Sequence, residues 1–371
     1  MHAKHILITG SDGYLGTRLA RAYLELTDMP VLMWVRAGNS DEFESKRKRL
    51  QDRFGRFESR IAYEWGDLVR DHPFDSIDPR KIRLIIHTAA VTKFNVDEDT
   101  AQRVNIEGTE KVLKFASRCD SLEAFGLLST VYASGLRAGV IAEVPFEDAG
   151  NFANHYERSK CASETKLMRD FDYLPWRILR VATVVADDAS GRVTQFNAFH
   201  NTLKLLYYGL LSIIPGKHET PLYFVTGDFV ADAVFNLMRS PSNKAIYNVC
   251  HTRSESLNLG ELIDAAFDCF SRQPDFKSRR ILKPLYADAE SFDMLGNAMD
   301  SFGGSIVNQA LSSVSPFARQ LFVEKEFLND RLVRALPGYA SPDQRQLIRN
   351  TCEYLVRTRW GKEEVSDLGT K

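Results

Sequence analysis

The strongest constraint on this chain lies at its start, where residues 4–18 read KHILITGSDGYLGTR. His5 to Thr9 is a short apolar run with a β-branched component, long enough for a buried strand. Glycines follow at Gly10, Gly13 and Gly16, and an apolar periodicity of helical spacing begins at Leu15, Leu19 and Tyr23. The order is strand, glycine-rich turn, helix. Such a unit builds an anion site. Glycines let the backbone turn sharply and let a pyrophosphate come close, while the helix N-terminus offers unpaired N–H groups and a positive dipole end. Gly10, Gly13, Tyr14, Leu15 and Gly16 are therefore candidates for dinucleotide binding. A glycine triplet alone also fits a surface turn, so the rest of the chain must decide.

The chain's 371 residues are enough for one large α/β domain and a smaller one. A net charge of −1 gives no global argument for nucleic acid or an anionic membrane. Cys119, Cys161, Cys250, Cys269 and Cys352 are scattered, odd in number and without metal spacing, which predicts reduced thiols and a cytoplasmic protein. The eight histidines are equally dispersed, so no metal site is expected. The first strand starts almost at Met1, which predicts no signal peptide. No apolar run approaches the roughly 18 residues of a membrane span.

Further strands are read at Val31–Val35, Arg60–Trp65, Ile82–Thr88, Ala124–Ser129, Trp176–Val185 and Ala245–Val249, with helical patterns between most of them. This alternation predicts a parallel, doubly wound Rossmann-type α/β sheet. The second strand ends in Arg36, where a dinucleotide fold meets the adenosine ribose. An acidic residue there would bond the 2′-hydroxyl of NAD. Arg36, followed by Lys46, Arg47, Lys48, Arg49 and Arg53, instead favours a 2′-phosphate and hence NADPH. Most of that run reads as a solvated helix face; Arg36 is the leading phosphate reader and Arg47 the second candidate. Ala89 and Ala90 are small enough for the chain after the fourth strand to pass close to the cofactor. Asp67 and Leu68 close the third strand, and Asp67 also fits a helix N-cap.

Tyr156 and Lys160 stand at i and i+4, one helical turn apart. A nearby ammonium favours the phenolate, so Lys160 is expected to lower the Tyr156 pKa and make it a general acid or base. A hydroxyl at the end of the neighbouring strand would complete an oxyanion site; Thr130 is placed for it, with Ser129 the alternative. Thr130, Tyr156 and Lys160 are the candidate catalytic residues.

Taken together, TGxxGxLG, Gly66-Asp67-Leu68, a strand ending in Ser129-Thr130 and YxxxK resemble the extended short-chain dehydrogenase/reductases in order and spacing over roughly residues 4–190. The resemblance implies that Asp67 faces the adenine amino group and that Asn105, in VNIEGTEKVL, braces the central strands. Alone, Asn105 reads as an ordinary polar helix residue. Val35-Arg36-Ala37 before a basic helix, with HTAAVTKF, LLSTVYASG, YERSKCASE and LYFVTGDFVADAV, is similar to thioester reductase domains of synthetases and carboxylic acid reductases, and to fatty acyl-CoA reductases. One motif departs from the pattern. The usual Arg-Pro-x-x-Val-x-Gly is here Arg180-Val181-Ala182-Thr183-Val184-Val185-Ala186, and the glycine is displaced to Gly191. Thr183 lies in this loop, which in the family passes the nicotinamide carboxamide, so its contacts are open.

What the resemblance implies is hydride transfer from NADPH to an acyl thioester on coenzyme A or a carrier protein met in trans. Thr130 and Tyr156 would bond the oxyanion, Tyr156 would donate the proton and Lys160 would support it. The product is an aldehyde, or an alcohol after a second transfer. Other reactions of the extended family stay open: a ketone or hydroxysteroid dehydrogenase, or a nucleotide-sugar epimerase or dehydratase. A non-catalytic NADP(H) sensor is disfavoured because Thr130, Tyr156 and Lys160 are all retained.

The expected division is an NADP(H)-binding domain over 1–186 and 225–255, a mainly helical substrate or lid region over 187–224 and 256–361, and a flexible tail over 362–371. The stripe Phe196, Phe199, Leu203, Leu206 and Tyr207 is read as ordinary core or as the wall of an acyl tunnel. His155 is read as a surface residue, with substrate contact the alternative.

Overall fold

Seven apolar runs pair into one parallel sheet. They are β1 (His5–Thr9), β2 (Val31–Arg36), β3 (Ile61–Gly66), β4 (Ile82–His87), β5 (Ala124–Thr130), β6 (Trp176–Val181) and β7 (Ala245–Val249), in the order β7-β6-β5-β4-β1-β2-β3. The computed structural model describes residues 4–146, 150–241, 244–300 and 315–363; the expected tail lies outside the described residues from 364 onward. Most strands are buried on both faces, as a parallel sheet requires, because crossover helices cover it above and below. Alternate strand residues feed two apolar clusters. Ile6, Ile8, Met33 and Val35 pack with α1 (Tyr14–Leu26) and α6 (Gly227–Arg239). Leu7, Leu32, Ile85 and Leu127 pack with α3 (Gly108–Ala116) and α4 (His155–Asp170).

Two local features differ from the sequence reading. The expected strand Trp176–Val185 is two strands. β6 ends at Val181, level with Thr130 of β5 and Val249 of β7. Ala182 breaks the run, and Thr183–Ala186 turns to pair in parallel with Phe224–Thr226. The chain changes partner where β5 has ended and can offer no further ladder. The second difference is a π-helical stretch, Ala101–Glu107, leading into α3. π geometry often marks functional positions, and this stretch carries Asn105.

A third apolar cluster lies beyond the sheet. It joins Val185 and Val193 to α5 (Ala198–Tyr207), α7 (Leu259–Phe270) and α8 (Gln344–Arg357). Phe327, Leu332 and Leu336 pack instead with the sheet cluster of β1 and α1. Gly191 permits one of the tight crossings, since it has φ +79° and a Cβ there would lie 2.3 Å from the Thr351 N atom.

His87, His200 and His251 are each at most 2% exposed. Burial holds their imidazoles well below the ordinary value of 6.5: His87 at about 3, with Lys160 adding to the effect, and His200 and His251 at about 4. The unfolded chain therefore binds more protons than the folded chain between those values and 6.5, so these groups lose stability as pH falls through that window. Glu157, raised by burial to about 6, works in the opposite sense because its folded form binds the extra proton. Melting curves from pH 7 to pH 5 should show a falling Tm. His251→Phe, which keeps the ring against Phe229 and Tyr339, should flatten the dependence by about 1.4 kcal/mol per pH unit, one proton's worth. An unchanged slope would remove His251 from the effect.

Candidate functional site

The strand ends converge on a cleft of about 550 Å³. It opens at the C-terminal edge of the sheet across β1 and β4, where strand order reverses and doubly wound folds bind their ligands. Its near end is the glycine turn. Gly10 has φ +68° and lies so close to the chain after β4 that a Cβ would sit 3.0 Å from Ala89 backbone atoms. Gly16 admits no side chain at all, because a Cβ would lie 2.2 Å from the Gly10 carbonyl oxygen. Gly13 is the N-cap of α1, with no side-chain cap and no acidic residue in the first turn. The N–H groups of that turn therefore face the cleft beside a backbone bare enough for a pyrophosphate, so the site fits a dinucleotide.

Of the predicted cofactor residues, Gly10, Gly13, Tyr14, Leu15, Gly16, Arg36, Asp67, Leu68, Ala89, Ala90 and Thr183 line this cleft. Arg47 is not among the lining residues. Its guanidinium lies near the Tyr63 ring and 3.4 Å from Glu44. One residue earlier on α2 (Ser40–Phe54), a rotation of about 100°, brings Lys46 to the cleft instead. Lys46 donates to the Arg36 carbonyl at 2.5 Å and lies 3.0 Å from Glu42 and 3.4 Å from Asp12. Asp67 accepts from the Val69 N–H at 3.1 Å, an Asx turn rather than a helix cap. Trp34 and Asp187 also line the cleft and carry no local sequence signal.

Asn105 is likewise absent from the lining. It braces a loop and a helix, rather than strands. Its side chain accepts from Val91 N at 2.9 Å, donates to Val91 O at 3.0 Å and donates to the Ser159 hydroxyl at 2.9 Å. The floor of the cleft is thereby fixed to α4.

The far end of the cleft gathers Thr130, Tyr156 and Lys160. Asn154 caps α4 by accepting from Glu157 N, and His155, the first helical residue, is exposed. Tyr156 is 9% exposed, and its hydroxyl faces Thr130. Burial raises its pKa well above 10, and the Thr130 hydroxyl opposes that. The expected lowering by Lys160 is not found, because burial dominates and the Lys160 ammonium donates to the Leu128 carbonyl at 2.7 Å. Burial holds Lys160 down at about 8, against the pull of Glu164. Ser129, the alternative hydroxyl, donates to Glu164, which forms a fully buried ion pair with Arg180 at 2.8 Å.

Beyond this end lies an apolar cavity of about 90 Å³ that shares Phe94, Tyr132, Thr183, Ala198 and Phe199 with the cleft. The helical stripe divides accordingly. Leu203 and Leu206 are buried core residues that also line the cavity, Phe199 lines both spaces, and Phe196 is exposed. Tyr132 and Thr183 are joined by a 2.9 Å hydroxyl hydrogen bond where the two spaces meet.

A seven-stranded parallel sheet with this glycine turn and a Thr-Tyr-Lys group at its edge defines an extended short-chain dehydrogenase/reductase, a class of oxidoreductases. Residues 8–234, more than half of the chain, match the NAD-binding family described as "Male sterility protein", and the chain belongs to that family. Its dinucleotide-binding domain takes a nicotinamide cofactor. Among curated proteins the chain is similar to fatty acyl-CoA reductase 1 of Mus musculus, with 22% identity over 320 residues, covering 73% of this chain and 62% of the relative. The chain thus spans about three-fifths of that relative's length. Among solved structures it is similar to the terminal R domain from the myxalamid PKS-NRPS biosynthetic pathway, with TM-score 0.76, 21% identity and coverage of 97% and 92%. It is also similar to a thiolation-reductase di-domain from an archaeal non-ribosomal peptide synthetase, with TM-score 0.71, 17% identity and coverage of 97% and 76%. These two share its fold. No helix among the described residues is long and apolar enough to cross a membrane, and no group of three or more His, Cys, Asp or Glu among them could hold a metal.

The close approach at Gly16 gives a direct test. Gly16→Ala must displace the Gly10 turn, so it should cost about 1–3 kcal/mol in a denaturant melt and abolish dinucleotide binding by titration. A variant that binds as the parent does would remove this crossing from the site.

Proposed function

We propose that the protein is an NADPH-dependent reductase of acyl thioesters carried on coenzyme A or a carrier protein, yielding an aldehyde or, after a second cycle, an alcohol. The observation that carries the reading is the pairing of spaces described above. A Thr-Tyr-Lys group lines the dinucleotide cleft, and Phe94, whose ring lies 5.8 Å from that of Tyr156, is shared with the apolar cavity. An acyl chain suits that cavity, and the thioester carbonyl would then lie in the cleft beside Thr130 and Tyr156, past Phe94. The fatty acyl-CoA reductase relative supports the same substrate class, and the thiolation-reductase di-domain supports a carrier.

The cofactor, when bound, supplies the hydride. The chain's own residues do the rest. The Thr130 and Tyr156 hydroxyls bond the carbonyl oxygen as negative charge develops, which is where fixed donors contribute most. Tyr156 gives up its proton to that oxygen. A phenol held above its ordinary pKa by burial is fully protonated at neutral pH, so the acid form is the resting form. Lys160 follows with its ammonium and stabilises the phenolate left behind. Collapse of the hemithioacetal releases the thiol and the aldehyde. Asn105 takes no part in this chemistry; it holds α4 and the loop at Val91 in register.

At the adenosine end, Arg36 and Lys46 are the candidate cations for a 2′-phosphate, and Asp67 the candidate partner of the adenine amino group. We assign the cofactor domain to 1–186 and 225–255 and the substrate region to 187–224 and 256–361, in which Phe199, Leu203 and Leu206 meet the acyl chain.

Incubation with NADPH and a panel of acyl-CoA and pantetheine thioesters, with product analysis, tests the reading. Turnover confined to ketones or nucleotide sugars would overturn it. Tyr156→Phe should lower kcat by about 10²- to 10⁴-fold with cofactor affinity retained, and unchanged turnover would remove Tyr156 from the mechanism. Arg36→Ala should weaken NADPH by about tenfold or more, the strength of one charge-assisted hydrogen bond, and leave NADH nearly unchanged. Equal losses for the two cofactors would show that Arg36 does not read the phosphate.

A further inference from the structure

A buried carboxylate directly follows Tyr156. Glu157 is fully buried and accepts from Ala153 N at 3.0 Å, Asn154 Nδ2 at 3.1 Å and Gln320 Nε2 at 2.8 Å. Gln320 comes from a distant part of the chain, and its amide oxygen accepts from the Lys325 ammonium at 2.7 Å. Lys325 is 7% exposed and also donates to Ser134 Oγ and the Gly135 carbonyl. Ammonium, amide and carboxylate thus form one chain, with the amide dipole aligned between two opposite charges. Burying either charge without the other is strongly unfavourable.

The strap that carries these groups touches both sides of the proposed chemistry. Pro316 O accepts from Asn154, the cap of the Tyr156 helix, at 2.9 Å. Gln320 and Lys325 bond Ser134 and Gly135, in the turn that follows Thr130. Lys325–Phe327 adds a strand to Gly139–Ile141. Phe317 packs 6.0 Å from Phe94, whose ring lies 5.8 Å from Tyr156. Phe317, Gln320 and Leu321 line the apolar cavity. Docking of this strap and the geometry of the Thr130–Tyr156 pair are therefore settled by the same bonds.

We propose that Gln320 and Lys325 are positioning residues for the reaction: by compensating Glu157 they fix the first turn of the Tyr156 helix against the Thr130 turn and close the substrate side of the site. The proposal rests on the reductase reading above. It assigns catalytic importance to side chains that touch neither cofactor nor substrate carbonyl. Without Lys325 the Glu157 carboxyl loses its compensating cation, and the first turn of α4 loses its tie to the Thr130 turn.

The test uses the full chain with saturating NADPH and the best thioester substrate. Lys325→Met should lower kcat by about tenfold or more while cofactor Kd stays within about twofold, because the loss falls on the transition state and not on uniform binding. Lys325→Arg should restore kcat to within about threefold. Glu157→Gln combined with Lys325→Met removes both charges and should regain most of the lost rate, the signature of two coupled groups. Gln320→Met breaks the relay while keeping both charges, and gives the same rate loss if Lys325→Met does not fold. Wild-type kcat in Lys325→Met or Gln320→Met, or a double variant no faster than the single one, overturns the proposal. If the parent reduces no thioester, the reductase reading is what fails. Amide exchange over residues 154–160 then decides the strap: faster in Lys325→Met and restored in the double variant supports it, and unchanged exchange overturns it.

Discussion

At Gly10 three parts of the chain meet within van der Waals distance: the turn after β1, the start of α1 at Gly16 and the segment after β4 at Ala89. No side chain fits between them. The crossing holds α1 against the sheet edge, keeps its first N–H groups open, and sets how far Ala89 and Ala90 stand from the cleft. Thr88 reinforces it by donating to Thr9 O at 2.7 Å, and Thr9 bonds His87 at 2.7 Å. Asn105 then carries the position of this segment across to α4 through Val91 and Ser159. A run of hydrogen bonds from Thr9 through His87, Thr109 and Asn105 to Ser159 connects the two ends of the cleft.

The far end obeys a different constraint. Lys160, Glu164, Arg180 and Glu157 are all buried within a few turns of Tyr156, and each charge has a partner. In so dry a place desolvation governs titration, which is why Tyr156 rests protonated and Lys160 sits at about 8. The end at Arg36 is the reverse: Arg36 is exposed, and Lys46 is shared between Asp12, Glu42 and a carbonyl. Charge there is screened and adjustable.

The sheet was legible because its strands are apolar runs set between glycine turns and periodic helices, signals that are local. β1 and β7 have the bounds read from sequence, and Trp176–Val185 fails only where a partner strand ends, a fact no local pattern contains. Arg47 and Lys46 differ by one position, and composition cannot say which way a helix is turned about its axis. Asp187 carries no local signal because its partners Tyr14 and Arg18 lie on α1, at the other end of the domain in sequence. Gln320 and Lys325 were invisible for the same reason: each is an ordinary polar residue until a fold brings it to Glu157.

The third apolar cluster has a consequence for the order in which the molecule can assemble. Its two principal helices, α7 and α8, are Leu259–Phe270 and Gln344–Arg357, and α8 also supplies the backbone that fits against Gly191. Every strand of the sheet lies before residue 250. During synthesis the sheet can therefore be complete while the cluster around Leu203, Leu262 and Phe270 still lacks one wall. Domains form as units, N-terminal parts first, so a nascent chain passes through a stage with a formed cleft and uncovered apolar surface beside it. That interval ends when residues 344–357 arrive, so the covering of this surface depends on α8.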